Sequence, residues 1–335
     1  MRNADEGVGM GAKQRTFDFL HGAQRSGEQD IVEARRRKVG VYSGIVASFL
    51  LGWAPILGKL AYQFGVTPLT LAASRTVVAV LFLFMVYLLF WRRLLILRVS
   101  DLFNCLLVGM INGVGSIFYY SALDRMDASR ASLLSALYAI WVVIFLAASG
   151  QPLSRLTLSR LATSLVGAVL VTSPWVATDS FYLFGVMLMA ASAALNGWYM
   201  VMGQWVLADV PARSATLYIL TGMAITVSVA RVVSGSPVEP LILPGWAMIL
   251  ALGLTTAISR MAVFFSLERL GGVQTVLLSF MEMAVSLALA MILLGERLSW
   301  VQWVGAVLLL GGGFLARQDL ERGGAPPPAF NPMDV

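Results

Sequence analysis

Residues 272–294 form an unbroken run of 23 residues, GVQTVLLSFMEMAVSLALAMILL, with a single charge inside it. A helix rises ~1.5 Å per residue, so a run of this length crosses a ~30 Å hydrocarbon layer. The wider stretch Leu267–Trp300 gives it flanks. Glu268, Arg269 and Gly271-Gly272 lead in, and Gly295-Glu296-Arg297 ends it abruptly. The single charge is Glu282. A carboxylate at that depth costs roughly 2.5–3.5 kcal/mol on insertion scales, which makes it a functional suspect by default.

Nine further apolar runs share this character. The expected spans are 40–62, 67–90, 100–123, 128–149, 157–175, 181–207, 212–233, 244–267, 272–294 and 299–316. Short breaks hold the turn formers and charges, as at Thr67-Pro68, Trp91-Arg92-Arg93, Gly150-Gln151-Pro152, Pro174, Val210-Pro211 and Ser236-Pro237. Charged residues make up 13% of the chain, against ~25% in a soluble domain. The sequence predicts an all-α polytopic membrane protein with ten transmembrane helices. Residues 1–38 read as a polar cytoplasmic tail ending in Arg35-Arg36-Arg37-Lys38, and 317–335 as a disordered Pro-rich tail. With the N-terminus inside, Arg92, Arg93, Arg98, Arg155, Arg160, Arg213, Arg269, Arg317 and Arg322 are cytoplasmic. Lys59, Arg125, Arg130, Arg231 and Arg297 fall on the other side. That asymmetry predicts that both termini are cytoplasmic, and the expected location is the cell inner membrane.

Several chemistries are disfavoured. Cys105 is the only cysteine and His21, in the tail, the only histidine, so no disulfide framework, haem or cysteine/histidine metal site is expected. No Gly-x-x-x-x-Gly-Lys loop is present for ATP. The net charge of +6 sits largely in the tail and one loop, so it does not signal nucleic acid. No cofactor and no enzymatic activity are expected.

The chain also matches itself at an offset of 143–145 residues. Gly52-Trp53 with Gly58-Lys59 recurs as Gly197-Trp198 with Gly203-Gln204. Pro68 and Arg75 recur as Pro211 and Tyr218. Leu123-Asp124-Arg125 recurs as Leu267-Glu268-Arg269, and Leu133-Leu134-Ser135 as Leu277-Leu278-Ser279. Gly150-Gln151-Pro152-Leu153-Ser154 recurs as Gly295-Glu296-Arg297-Leu298-Ser299. The unit holds five spans, an odd number, so its second copy enters the membrane from the opposite side. Two inverted five-helix repeats, 39–176 and 177–316, are the expected domains, an architecture suited to alternating access.

These features, with the Leu294-Gly295-Glu296-Arg297-Leu298 end of span 9, resemble the drug/metabolite transporter superfamily, EamA type, over residues ~40–316. The resemblance implies ten helices in two inverted halves, with a substrate cavity lined by the first four helices of each half and spans 5 and 10 peripheral. It also implies transport, leaning to efflux of amino acids, toxic metabolites or drugs. Two departures stand out. Gly150-Gln151 replaces Gly-Glu, and Glu282-Met283 stands where Glu-Pro is common; span 4 also lacks a central proline.

Arg75, Arg260 and Glu282 lie ~10–15 Å deep by helix rise. Unpaired buried charge is prohibitive, so these groups pair, face water or neutralise. Two readings are compatible: a Glu282–Arg260 ion pair joining spans 8 and 9, or a substrate- and proton-binding centre with Glu282 as the proton-coupling candidate. Two arginines against one glutamate favour a ligand with a carboxylate or phosphate. Trp53 and Trp198 lie at equivalent mid-span positions, and Tyr138 is the repeat counterpart of Glu282 and should point at the same axis. Asn112, Tyr119 and Asn196 complete the candidate substrate-binding set. Gly109-x-x-x-Gly113 and Gly311-Gly312-Gly313 read as helix-packing sites. The expectation is a secondary transporter, an exporter of a small organic metabolite such as an amino acid or related carboxylate, moving it across the lipid bilayer. A homodimer is compatible with this. The alternatives are a non-transporting scaffold or sensor and, third, a membrane-embedded enzyme.

Overall fold

The computed structural model describes residues 38–149, 155–173, 180–235, 242–270 and 272–323. The tail before Lys38, the breaks at Gly150-Gln151-Pro152, Pro174, Ser236-Pro237 and Gly271, the 176/177 boundary and the Pro-rich end lie outside the described residues. Among the described residues every regular element is helical. In order they are α1 (Lys38–Gln63), α2 (Pro68–Phe90), a 3₁₀ turn (Arg92–Leu95), α3 (Val99–Arg125), α4 (Ala128–Ser135), α5 (Tyr138–Ala148) and α6 (Arg155–Thr172). Then come α7 (Ser180–Asp209), α8 (Ala212–Val233), α9 (Leu243–Leu270), α10 (Gly272–Leu293) and α11 (Trp300–Gly323). Seven segments are long and apolar enough to cross a membrane, and shorter apolar stretches lie in α6, α10 and α11. The chain is a polytopic membrane protein.

Local chemistry sets the ends. Pro68 opens α2, where its fixed φ suits the first turn and its missing N–H costs nothing. Gly65, at φ +80°, makes the turn before it. Two elements depart from the sequence reading. Span 4 is not one helix, because α4 and α5 are separated at Ala136–Leu137. There the bonding tightens to three-residue steps, Ala136 N–H to the Leu133 carbonyl and Leu137 N–H to that of Leu134, both 3.0 Å. No proline is needed for this break. At the other end, α11 runs to Gly323, past the expected start of the tail at 317. Ala316, Arg317, Gln318, Leu320, Glu321 and Arg322 are good helix formers.

Burial follows the logic of a lipid solvent. Large apolar side chains such as Leu81, Phe103 and Met187 are exposed, while Ser48, Thr76, Ser116, Ser164 and Ser192 are buried. Many hydroxyls bond their own helix, as Thr76 Oγ1 to the Ala72 carbonyl at 2.6 Å. Others link helices: Ser164 Oγ donates to the Leu309 carbonyl at 2.9 Å and Ser192 Oγ to that of Gly115 at 2.7 Å.

Glycines bring backbones together at positions that recur between the repeats. A Cβ on Gly109 of α3 would strike the Ile219 carbonyl of α8; one on Gly253 of α9 would sit 3.0 Å from the Arg75 carbonyl of α2. Gly253 stands 144 positions after Gly109, and Ile219 stands 144 after Arg75. Likewise Gly52 of α1 abuts the Glu282 carbonyl, and Gly197 of α7 abuts that of Tyr138. In the α6–α11 seam, Gly167 meets Gly305 and Leu309 while Gly312 meets Arg160 and Ser164.

The connections sort to two ends. Gly245, opening α9, lies against Phe64 and Val66 of the α1–α2 turn, and Arg231 at the end of α8 donates to Thr70 at 2.8 Å. The α10–α11 turn bonds the start of α4. This is the distal end. At the opposite end, Ser214 and Tyr218 of α8 donate to the Leu94 and Leu95 carbonyls of the α2–α3 connection.

Candidate functional site

Four helical segments from each half converge on a cavity of about 190 Å³. It is lined by α1 (Leu51, Ala54, Pro55), α2 (Arg75), α3 (Asn112–Tyr120), α4 (Ser132, Ser135), α7 (Ser192, Asn196), α8 (Met223), α9 (Arg260) and α10 (Glu282, Met283, Ser286). Among the described residues, no lining residue comes from α5, α6 or α11. The volume slightly exceeds the ~150 Å³ that holds a benzene ring.

Arg75 is the most constrained group. It is 7% exposed. One terminal nitrogen donates to Ser116 Oγ at 2.8 Å, the other to Thr256 Oγ1 at 3.3 Å, and the guanidinium lies 4.4 Å from the Tyr120 ring centre. Those partners are neutral, and its Nε is buried without an acceptor. Two helices, α3 of the first half and α9 of the second, thus hold a cation of α2 without cancelling it.

Arg260 and Glu282 face the same cavity, but no ion pair within 4.0 Å joins them; the only such pair among the described residues is Arg130–Asp127. The expected structural pair is therefore not formed in this conformation. Adjacent helices bring the two groups to one cavity without contact. Arg260 Nε is also buried without an acceptor. Two arginines and one glutamate leave the lining with a formal surplus of one positive charge.

Of the candidate residues, Arg75, Asn112, Tyr119, Asn196, Arg260 and Glu282 are brought together. Asn112 Nδ2 reaches Met223 Sδ at 3.5 Å, and the Tyr119 and Tyr120 rings meet edge to face at 5.1 Å. Trp53, Trp198 and Tyr138 are not in the lining. Trp53 packs on Phe49; Trp198 is 45% exposed and contacts Phe145 and Met202. The cause is the glycine before each tryptophan. Gly52 and Gly197 face the neighbouring helix backbone, so the next residue is turned ~100° away. Tyr138 opens α5 just beyond the α4 break and packs against the core instead of following Glu282. The hydroxyls of Ser116, Ser132, Ser135 and Ser286 line the cavity and were not singled out in the sequence. Serine is common in membrane helices, and only the repeat match Leu133-Leu134-Ser135 touched this set.

The EamA-like transporter family matches the chain twice, over residues 38–173 and 183–317. No curated protein matches it. A solved structure described as "Crystal structure of protein" is similar with a TM-score of 0.59 and 20% identity, covering 86% of this chain and 100% of that one. At that identity the likeness is one of fold.

Proposed function

Because the chain belongs to the EamA-like transporter family, we propose that it is a secondary carrier that exports a small organic carboxylate, amino-acid-like in size, by alternating access. One observation carries this reading: Arg75 is buried in a small central cavity, held only by neutral groups, with a second arginine beside it and no carboxylate in contact. A buried cation without a counter-ion is costly, and a ligand carboxylate would remove that cost. Glu282 gives the same cavity an acceptor for a ligand ammonium or a proton. The volume suits a ligand of about six to ten non-hydrogen atoms, scaled from benzene.

Ten membrane helices in two inverted halves, in the inner membrane with cytoplasmic termini, complete the reading. It is supported by the glycine contacts that recur with the halves exchanged. It is supported too by the α1–α2 turn and its repeat counterpart, the α7–α8 turn, meeting neighbours at opposite ends. The test is counterflow in proteoliposomes. Vesicles loaded with a small amino acid or monocarboxylate should accumulate its labelled form, and Arg75→Met should abolish the signal. Flux of organic cations but of no carboxylate would overturn the substrate class, and no flux of any tested solute the carrier reading.

A further inference from the structure

Helix α4 begins with a donor problem solved from elsewhere in the chain. Its first residues, Ala128 and Ser129, are 0% and 1% exposed, so water does not reach their backbone N–H groups. The N-cap residue Asp127 makes no cap hydrogen bond, and its carboxylate pairs with Arg130 at 3.2 Å. The cap is Glu296, in the α10–α11 turn. Its Oε1 accepts the Ala128 N–H and its Oε2 the Ser129 N–H, both at 2.8 Å. A carboxylate on two amide donors at a helix N-terminus is a charge-assisted, dipole-aligned contact. Gly295, at φ +68°, makes the turn that presents it, and the Glu296 N–H itself bonds the Ala290 carbonyl of α10 at 3.3 Å.

This contact joins the two repeats at the distal end, about one turn of α4 before its cavity-lining Ser132. Below it, Ser132 and Ser286 share a hydrogen bond at 2.6 Å, again α4 to α10. Ile56, Leu71, Leu123 and Ala131, each 0% exposed, belong to one hydrophobic cluster and follow the lining residues of α1 to α4 toward the distal end. At its far end α4 is cut from α5 by the break at Ala136–Leu137. It is thus a two-turn piece, clamped at its start and interrupted at its end, and it carries Ser132 and Ser135 into the cavity.

We propose that Glu296 is a positioning residue of the transport cycle: its clamp on α4 holds the distal end of the cavity shut, and releasing it lets α4 swing away and open that end. This rests on the carrier reading. The test uses the full chain with Cys105→Ala and one reporter, Ser135→Cys, in membrane vesicles of both orientations labelled with an impermeant maleimide. Glu296→Ala and the isosteric Glu296→Gln should raise the ratio of distal to opposite-end labelling at least about tenfold, as losing a charge-assisted bond implies. Glu296→Asp should return it toward the native ratio. Gly312→Ala, in the α6–α11 seam away from the cavity, should lower the melting temperature and leave the ratio unchanged. Should Glu296→Ala not fold, Glu296→Gln decides. An unchanged ratio in a folded Glu296 variant, or an equal rise with Gly312→Ala, would overturn the clamp. Native flux with unchanged labelling sinks the clamp alone, whereas absence of native flux sinks the carrier reading.

Discussion

Arg75→Met separates an arginine kept for a ligand from one kept for the fold. The native side chain gives two hydrogen bonds to hydroxyls and one ring contact. Bonds from a charged donor are worth ~1.5–3 kcal/mol each, and a desolvated cation–π contact ~2. Together they amount to roughly 5–8 kcal/mol. Against this stands the desolvation of an uncompensated guanidinium, several kcal/mol even after relaxation. Methionine fills similar space, and burial of its side chain returns ~1.5–3 kcal/mol. The acceptors left behind are not stranded. Thr256 Oγ1 already donates to the Leu252 carbonyl at 2.7 Å, and the Ser116 hydroxyl can turn to its own helix. The opposing contributions nearly cancel, so stability should change by no more than about 2 kcal/mol, of either sign. Removing one partner of a buried ion pair would instead cost ~3–5 kcal/mol. Affinity should behave differently. Loss of a buried charged contact costs ~2–5 kcal/mol, about 30-fold to several thousand-fold in Kd. Melting in detergent gives the first quantity; calorimetry with whichever carboxylate passes the counterflow screen gives the second. A melting loss beyond 3 kcal/mol with affinity retained would show that Arg75 serves the fold, and the argument for an anionic ligand would fail.

Glu282→Gln should abolish accumulation driven by an imposed pH gradient while leaving exchange at equal pH measurable; a native protein that ignores the gradient is not proton-coupled. Because Glu282 and Arg260 do not touch in this conformation, the stability losses of Glu282→Gln and Arg260→Gln should be nearly additive. A double-mutant coupling above about 1.5 kcal/mol by melting would mean that they pair directly. Gly109→Leu should destabilise by at least about 1–3 kcal/mol, since its side chain must displace the Ile219 backbone, whereas Gly65→Asn, in an open turn, should cost far less.

The seven long apolar segments were legible because lipid thickness fixes helix length and the breaks between them carry turn formers or charges. Arg75, Arg260 and Glu282 were legible because charge at depth is rare and expensive. The tryptophans misled for a geometric reason. A repeated Gly-Trp pair marks a close approach, but the glycine makes it and the tryptophan points elsewhere. The serines were silent because a hydroxyl bonded to its own helix and one facing a cavity read alike in sequence. Nothing at Ala136–Leu137 announced a break, since neither residue is a helix breaker. Glu296 was visible as the end of a span, while its partners, 168 and 167 residues away, were not.

The contact between Gly253 and the Arg75 carbonyl has a mechanical meaning. A Cβ at Gly253 would meet the Val78 side chain at 2.6 Å as well as the Arg75 carbonyl at 3.0 Å, so α9 rests on α2 with little cushion, and if one half rocks on the other, α2 and α9 turn about this point as about a fulcrum. Arg75 stands with its main chain on that fulcrum and its guanidinium in the cavity. A pull on the guanidinium therefore acts as torque at the bearing itself, through a lever one side chain long. What grips the cargo and what turns would be the same residue, and the force needs no longer path than that.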